Sequence, residues 1–250
     1  MTDAVQYLDR AARPRLAYRH VAGAGPAIVF LPGYMSDMAG GKATALFDGA
    51  ASEGRACLLL DYAGCGLSDG LFGEQTLLDW RGDVLDLIDA KVHGPLILVG
   101  SSMGGWLMLL TALALTARDG ADRVAGLVGI AAAPDFTDWG FTPQEKAIIL
   151  AEGELREETS YSGQPYVTTR GFWQSGEANR LLDAPIPLAC PARLLHGQED
   201  GDVPPEISLR LAAALAGDDV QVTLVKGGDH RLSRQTDIAL LIDTVARLTD

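Results

Sequence analysis

Residues 97–108 read ILVGSSMGGWLM. An apolar run, Leu96-Ile97-Leu98-Val99, stops at Gly100, and a helix-like run from Trp106 to Ala117 starts just after Gly104-Gly105. The pattern is that of a buried strand feeding a helix through a tight turn. Two serines stand in that turn. Gly100-Ser101-Ser102-Met103-Gly104 fits G-x-S-x-G with Ser102 at its centre. Centring it on Ser101 would need glycine at Val99 and Met103. The spacing has a physical cause. A serine on a strained strand-to-helix corner crowds the residues two before and two after it, so both must be small. Ser102 would then point outward at the carboxyl edge of a sheet, with the free N–H groups of a helix start beside it. Ser101 is expected to face inward or to bond locally.

Outward from that corner, short runs rich in Val, Ile and Leu recur, each ended by Gly, Pro or Asp. They are Ala27–Leu31, Cys57–Leu60, Leu96–Val99, Val124–Ile130, Arg193–Leu195 and Val220–Val225. Continuous apolar runs imply strands buried on both faces, hence a mostly parallel sheet. Between them lie segments of helical period. Leu77, Trp80, Val84, Leu87 and Ile88 share one face of a segment from about 76 to 91, and Ile238, Leu241, Ile242, Val245 and Leu248 make a similar stripe. Alternating strands and helices predict one α/β doubly wound domain over 1–250, with helices on both faces. Residues 4–9 and 15–21 are expected to form an antiparallel hairpin at one edge.

One stretch breaks the rhythm. Between Ile130 and Arg193 no buried strand is evident, and a lid insertion is expected at about 135–185. Within it Thr142-Pro143-Gln144-Glu145 is a capping box with proline at the first helical position. The segment SYSGQPYVTTRGFWQSGEAN, 160–179, is aromatic, polar and punctuated by glycine.

Composition excludes several classes. The chain of 250 residues is 48% hydrophobic, enough for a sizeable core, and its 20 basic and 33 acidic residues give a net charge of −13. Nucleic acid and anionic lipid are therefore not expected as partners. No stretch approaches about 18 uninterrupted apolar residues, so no membrane span is expected. Cys57, Cys65 and Cys190 are odd in number and unrelated in spacing, which suggests reduced thiols. With no basic-then-apolar leader at the start, a cytoplasmic location is expected. Neither C-x-x-C nor H-E-x-x-H occurs, so no metal and no cofactor are expected.

A serine needs a base to take its proton. Four histidines are available: His20, His93, His196 and His230. On this kind of corner the partners follow in the order Ser, acid, His. His20 and His93 precede Ser102. His196 ends a strand with carboxylates after it, and is expected to support that loop. His230 follows the last expected strand and is the candidate base. The acid must hold the imidazole in one tautomer and stabilise its charged form. Glu199, Asp200 and Asp202 follow His196, while Asp229, adjacent to His230, is poorly aimed. A developing alkoxide needs fixed donors. The N–H of Met103 is one, and the N–H of Tyr34, after Pro32-Gly33, is the other.

The residues now in hand resemble the α/β-hydrolase superfamily. They are Gly100-x-Ser102-x-Gly104, Pro32-Gly33-Tyr34, Asp61-Tyr62-x-Gly64-x-Gly66-x-Ser68-x-Gly70 and His230. A narrower resemblance is to palmitoyl-protein thioesterases and acyl-glucuronide esterases of mitochondria and their bacterial relatives. It is carried by LPGYMSDMAGGKA, DYAGCGLSDG, WRGDVLDLID, GPLILVGSSMGGWLMLL, PIPLACPARLLHG and DHR. The resemblance implies the α/β-hydrolase fold and a serine esterase or thioesterase with a catalytic triad of Ser102, Asp200 and His230. His196-Gly197-x-x-Asp200-x-x-Val203-Pro204 resembles a superfamily pattern that selects Asp200, with Asp202 as the alternative. The substrate would be a small molecule or an acylated protein. Trp106, Phe136, Trp139, Phe172 and Trp173 are candidates for an apolar acyl pocket, though each taken singly also fits core packing. Arg170 is a candidate for an anionic substrate group, or a solvated side chain. A peptidase or carbon–carbon hydrolase with the same triad, or a binding protein that keeps the fold, are the rival readings.

Overall fold

The computed structural model describes residues 4–158 and 165–249; residues 160–164 of the aromatic segment lie outside them. The chain opens with an antiparallel hairpin, β1 (Gln6–Arg10) and β2 (Arg13–Val21). Then come β3 (Ala24–Leu31), α1 (Gly41–Ser52), β4 (Arg55–Leu60), α2 (Leu77–Lys91), β5 (Leu96–Ser101), α3 (Met103–Asp119) and β6 (Val124–Ile130). An excursion follows: α4 (Phe136–Trp139), α5 (Pro143–Glu152), β7 (Glu154–Glu157), β8 (Tyr166–Thr169) and α6 (Arg170–Glu177). The chain returns through β9 (Ala192–Gly197), α7 (Glu206–Ala214), β10 (Val220–Val225) and α8 (Gln235–Thr249).

Eight strands form one sheet in the order β1-β2-β4-β3-β5-β6-β9-β10. From β4 to β10 every pairing is parallel, and only the β1–β2 hairpin and its seam with β4 run antiparallel. The hairpin expected at one edge is there. Side chains alternate across the sheet as the pleat requires. Val29, Leu31, Leu58, Leu60 and Leu98 pack under α2 and α3. Ile28, Phe30, Leu59, Ile97 and Val99 face α1 and α8. Each such fully buried aliphatic or aromatic side chain contributes about 1.5–3 kcal/mol.

Two elements follow their local signals closely. Thr76 and Asp79 form a reciprocal capping box that starts α2, and Thr142 and Glu145 do the same for α5 behind Pro143. The run Val220–Val225 differs from its reading as a buried strand: β10 is the free edge of the sheet and alternates between half-buried and exposed residues. The excursion holds a small antiparallel pair, β7–β8, half-buried and without an apolar run. Among the described residues no helix is long and apolar enough to cross a membrane.

Because the central strands are parallel, the loops after β3, β5, β6 and β9 open at the same edge, and β10, parallel to β9, sends its loop there too. Five non-glycine residues with positive φ sit in these loops: Met35, Ser102, Ala131, Asp135 and Leu232. Such backbone costs about 1–3 kcal/mol per residue, and it gathers where loops are bent for a purpose.

Candidate active site

Ser102 is the corner between β5 and α3, with φ 54° and ψ −121°. Its neighbours show why glycine is needed there. A Cβ on Gly100 would lie 2.3 Å from the Gly104 carbonyl oxygen, and one on Gly104 would lie 2.1 Å from that of Leu31. The corner is tied to the next strand: Ser102 N–H donates to the Ile130 carbonyl at 2.9 Å, and Ala133 N–H donates to the Ser102 carbonyl at 3.0 Å.

Three side chains from distant parts of the chain meet at this corner. Ser102 Oγ lies 3.1 Å from His230 Nε2, and His230 Nδ1 lies 2.9 Å from Asp200 Oδ2. The hydroxyl donates to Nε2, so Nδ1 carries the ring proton and donates to the carboxylate. His230 rides on the loop after β10, and Asp200 on the loop after β9. The two loops touch because Gly197 has no Cβ; one there would sit 2.3 Å from the Gly228 carbonyl.

Asp200 is the buried acid, with its side chain wholly covered. Its Oδ1 accepts from the N–H groups of Asp202 and Val203, both at 2.9 Å. Burial alone would push its carboxyl up, but hydrogen bonds from His196, His230 and the Val203 N–H outweigh that and hold it well below the usual range. The alternatives stand elsewhere. Asp202 is exposed and its backbone serves Asp200, while the carboxylate of Asp229 accepts from Leu232 N–H at 3.0 Å and shapes the His230 loop. One donor atom each of Asp200, Asp202 and His230 lie within 4.8 Å of one another, but Asp200 and His230 are already engaged with each other.

The loop after β3 runs against Ser102. A Cβ on Gly33 would come 3.4 Å from Ser102 Cβ and 3.3 Å from the Ser101 carbonyl. Among the described residues, neither Tyr34 N–H nor Met103 N–H finds a protein acceptor. The DYAGCGLSDG segment holds this loop from behind, a support that sequence reasoning had not assigned to individual residues. Buried Tyr62 donates to the Pro32 carbonyl at 3.0 Å, and buried Asp61 accepts from Met38 N–H at 2.7 Å and Leu67 N–H at 2.8 Å. Burial raises the Asp61 carboxyl, and those two N–H donors oppose it. Its legible signal is Gly66, at φ 52°, whose Cβ would fall 2.2 Å from the Asp61 carboxylate.

The Tyr34 side chain is the centre of an aromatic cluster. Its ring lies 5.0 Å from Phe172, 5.2 Å from Phe72, 6.0 Å from Phe136 and 6.1 Å from Tyr166, centroid to centroid. Its hydroxyl donates to the Val167 carbonyl in β8 at 2.6 Å. Trp106 joins this cluster through Phe136 at 5.8 Å and is itself fully buried, its indole N–H reaching the Asn179 carbonyl. Trp139 packs instead near Ala133, Val203 and Ile207, and Trp173 ties its indole N–H to the Thr137 carbonyl. Arg170, half-buried, reaches the Ile149 and Ala151 carbonyls at the end of α5 at 3.4 Å each, where it helps to cap that helix. An open cavity of about 150 Å³ lies beside the loop after β3, lined by Met35, Ser36, Cys65 and Phe72 among others.

The sequence profile described as "Alpha/beta hydrolase family" matches residues 28–241. The chain belongs to the alpha/beta hydrolase family. Within the family, a human relative named palmitoyl-protein thioesterase ABHD10, mitochondrial (Homo sapiens), is 42% identical over 98% of this chain and 80% of its own length. The crystal structure of a putative hydrolase from Agrobacterium vitis S4 superposes with a TM-score of 0.92 at 37% identity, covering 99% of this chain and 98% of that one. The structure of alpha/beta hydrolase domain-containing protein 10 from mouse gives 0.90 at 40% identity, over 98% of each chain. These relatives correct one expectation. The cytoplasmic location inferred from the N-terminal residues does not stand, because the curated relatives that match 98% of the chain are described as mitochondrial.

Proposed function

We propose that this carboxylic ester and thioester hydrolase works through an acyl-enzyme on Ser102, with His230 as base and Asp200 as the acid that orients it. The observation that carries the reading is the unbroken relay from Ser102 Oγ to His230 to Asp200 at 3.1 and 2.9 Å. His230 Nε2 takes the Ser102 proton as Oγ attacks the acyl carbon. Negative charge gathers on the carbonyl oxygen, where the N–H groups of Tyr34 and Met103 receive it; one such donor is worth about 2.7–4 kcal/mol. His230 then gives its proton to the departing thiolate or alkoxide. Water enters, loses a proton to the same nitrogen, and attacks the acyl-serine; Ser102 recovers its proton and the acid leaves.

The substrate proposed is a long-chain acyl thioester carried on a protein. The relatives named palmitoyl-protein thioesterases support it, as does the apolar ring of Tyr34, Phe136 and Phe172 beside the corner. Residues 135–185 are proposed to act as the lid over that ring. A fluorophosphonate probe should label the native chain on Ser102 and leave Ser102→Ala unlabelled. An S-palmitoyl peptide, p-nitrophenyl esters and aminoacyl anilides, compared by kcat/KM, should rank in that order. Preferred cleavage of the anilides would overturn the substrate class, and probe labelling of Ser102→Ala would overturn the nucleophile.

A further inference from the structure

The relay does not end at Asp200. His196, the penultimate residue of β9 and fully buried, lies with Nε2 3.1 Å from Asp200 Oδ2, the same oxygen that accepts from His230. That nitrogen is also 2.9 Å from the Val203 carbonyl. Both neighbours of Nε2 are acceptors, so Nε2 carries a proton in either charge state of the ring. On the other side Nδ1 lies 2.7 Å from Ser208 Oγ in α7, a hydroxyl that is itself buried and free to donate to it. The ring is thereby fixed at three points, and one of them is the carboxylate of the proposed triad.

We propose that His196 is a positioning residue for this acid: its Nε2–H pins Asp200 Oδ2 and draws charge from it, and so sets how strongly that oxygen holds His230. The inference rests on Asp200 being the acid of the triad. Its physical content is a competition. One oxygen receives two N–H donors, so each weakens the other's bond. Without the His196 donor, Asp200 binds His230 more strongly and favours the imidazolium. A higher pH is then needed before His230 is free to act as base.

Other charges surround the pair. Asp202 is on the same loop, Asp229 and Arg231 flank His230, Glu199 and Arg234 lie nearby, and Lys42 of α1 holds the Arg231 carbonyl.

The test is the pH profile of kcat/KM with a p-nitrophenyl ester, read beside the pH dependence of fluorophosphonate labelling. His196→Leu, which removes the donor, should move the acid limb of both curves upward by about 0.5–1 unit. His196→Gln, whose terminal amide stands where Nε2 was, should restore the native limb. His196→Asn keeps a polar partner for Ser208 but stops short of Asp200, and it should shift like His196→Leu, serving in its place if that variant does not fold. An unmoved limb in the variants that fold, or Gln behaving as Leu does, overturns the inference. Asp200→Asn separates the two readings. Native activity in that variant removes Asp200 from the triad; loss of activity there with an unmoved limb in the His196 variants removes only the role of His196.

Discussion

Asp200 shows how one side chain is made fit for one task. Its four acceptor positions meet Asp202 N–H, Val203 N–H, His230 and His196, and these donors outweigh the upward push of burial and keep the carboxylate ionised. The sign of the pH effect follows. Its folded value is depressed below the ordinary figure of about 3.9, so its stabilising contribution is complete above that figure and is lost as pH falls through the folded value. Across pH 5–8 Asp200 stays ionised. Asp200→Asn should therefore lower kcat by about 10⁴-fold, by favouring the wrong tautomer of His230. Asp202→Asn should cost less than about 10-fold, because the substitution keeps the backbone N–H that this exposed residue gives to Asp200 Oδ1. Steady-state kinetics on the two variants checks this, and equal losses would reopen the choice of acid. The resemblance in sequence had selected Asp200, with Asp202 as the alternative. Residue type alone does not show which carboxylate the turn carries inward, because that is a matter of backbone hydrogen bonds.

The β5–α3 corner makes a claim at the scale of elements. Its glycines are there because two backbones pass where a Cβ would sit. Gly100→Ala would set a methyl 2.3 Å from a backbone carbonyl, which cannot swing aside as a flexible side chain could. Overpacking of a core typically costs about 1–3 kcal/mol, and this contact falls at the upper end or beyond it. Gly49, inside α1, is the contrast: a Cβ there meets nothing within 4 Å. Gly49→Ala should stabilise by up to about 1 kcal/mol through helix propensity. Urea unfolding midpoints of the two variants should move in opposite directions. The same contrast explains which elements could be read from residues alone. β3 to β6 are buried on both faces and write themselves as apolar runs. α1, with Gly41 and Gly49 in its span, carries little helical preference and gave no signal. Nor did β7 and β8, whose half-buried residues fold back as a hairpin because the rest of the excursion holds them. Asp135 shows that hold: its carboxylate, at the entrance to the excursion, accepts from the N–H groups of Leu181 and Leu182 at the exit. A pairing between residues 46 positions apart leaves no periodic trace.

The whole molecule is a sheet whose central strands point their loops at one edge, with the excursion pinned across the aromatic cluster by Tyr34. The order of strand and helix was legible because it follows from chain chemistry. The joining of the excursion to the loop after β3 was not, because it depends on one phenol reaching one carbonyl 133 positions away. Charge is the property that belongs to the molecule as a whole. With 33 acidic and 20 basic residues, at least 13 carboxylates have no cation to themselves. Arg118 alone already bonds both Asp89 and Asp119, and Arg180 lies near Asp138, Glu177 and Asp183, so the cations are shared. Exposed pairs of this kind are worth about 0–1 kcal/mol, less than the repulsion among the surplus acids when salt is scarce. The buried pair Arg10–Asp83 is shielded from salt and does not enter the balance. Raising sodium chloride from 10 to 150 mM shortens the screening length from about 30 to about 8 Å. Repulsion then fades faster than attraction is lost. If the relief is about 1 kcal/mol, the midpoint of thermal unfolding should rise by about 2–4 °C for a chain of this size. Scanning calorimetry in sodium chloride, with sulfate avoided because it strengthens burial by another route, measures it. A midpoint that fell with salt would mean that the exposed ion pairs outweigh the surplus charge.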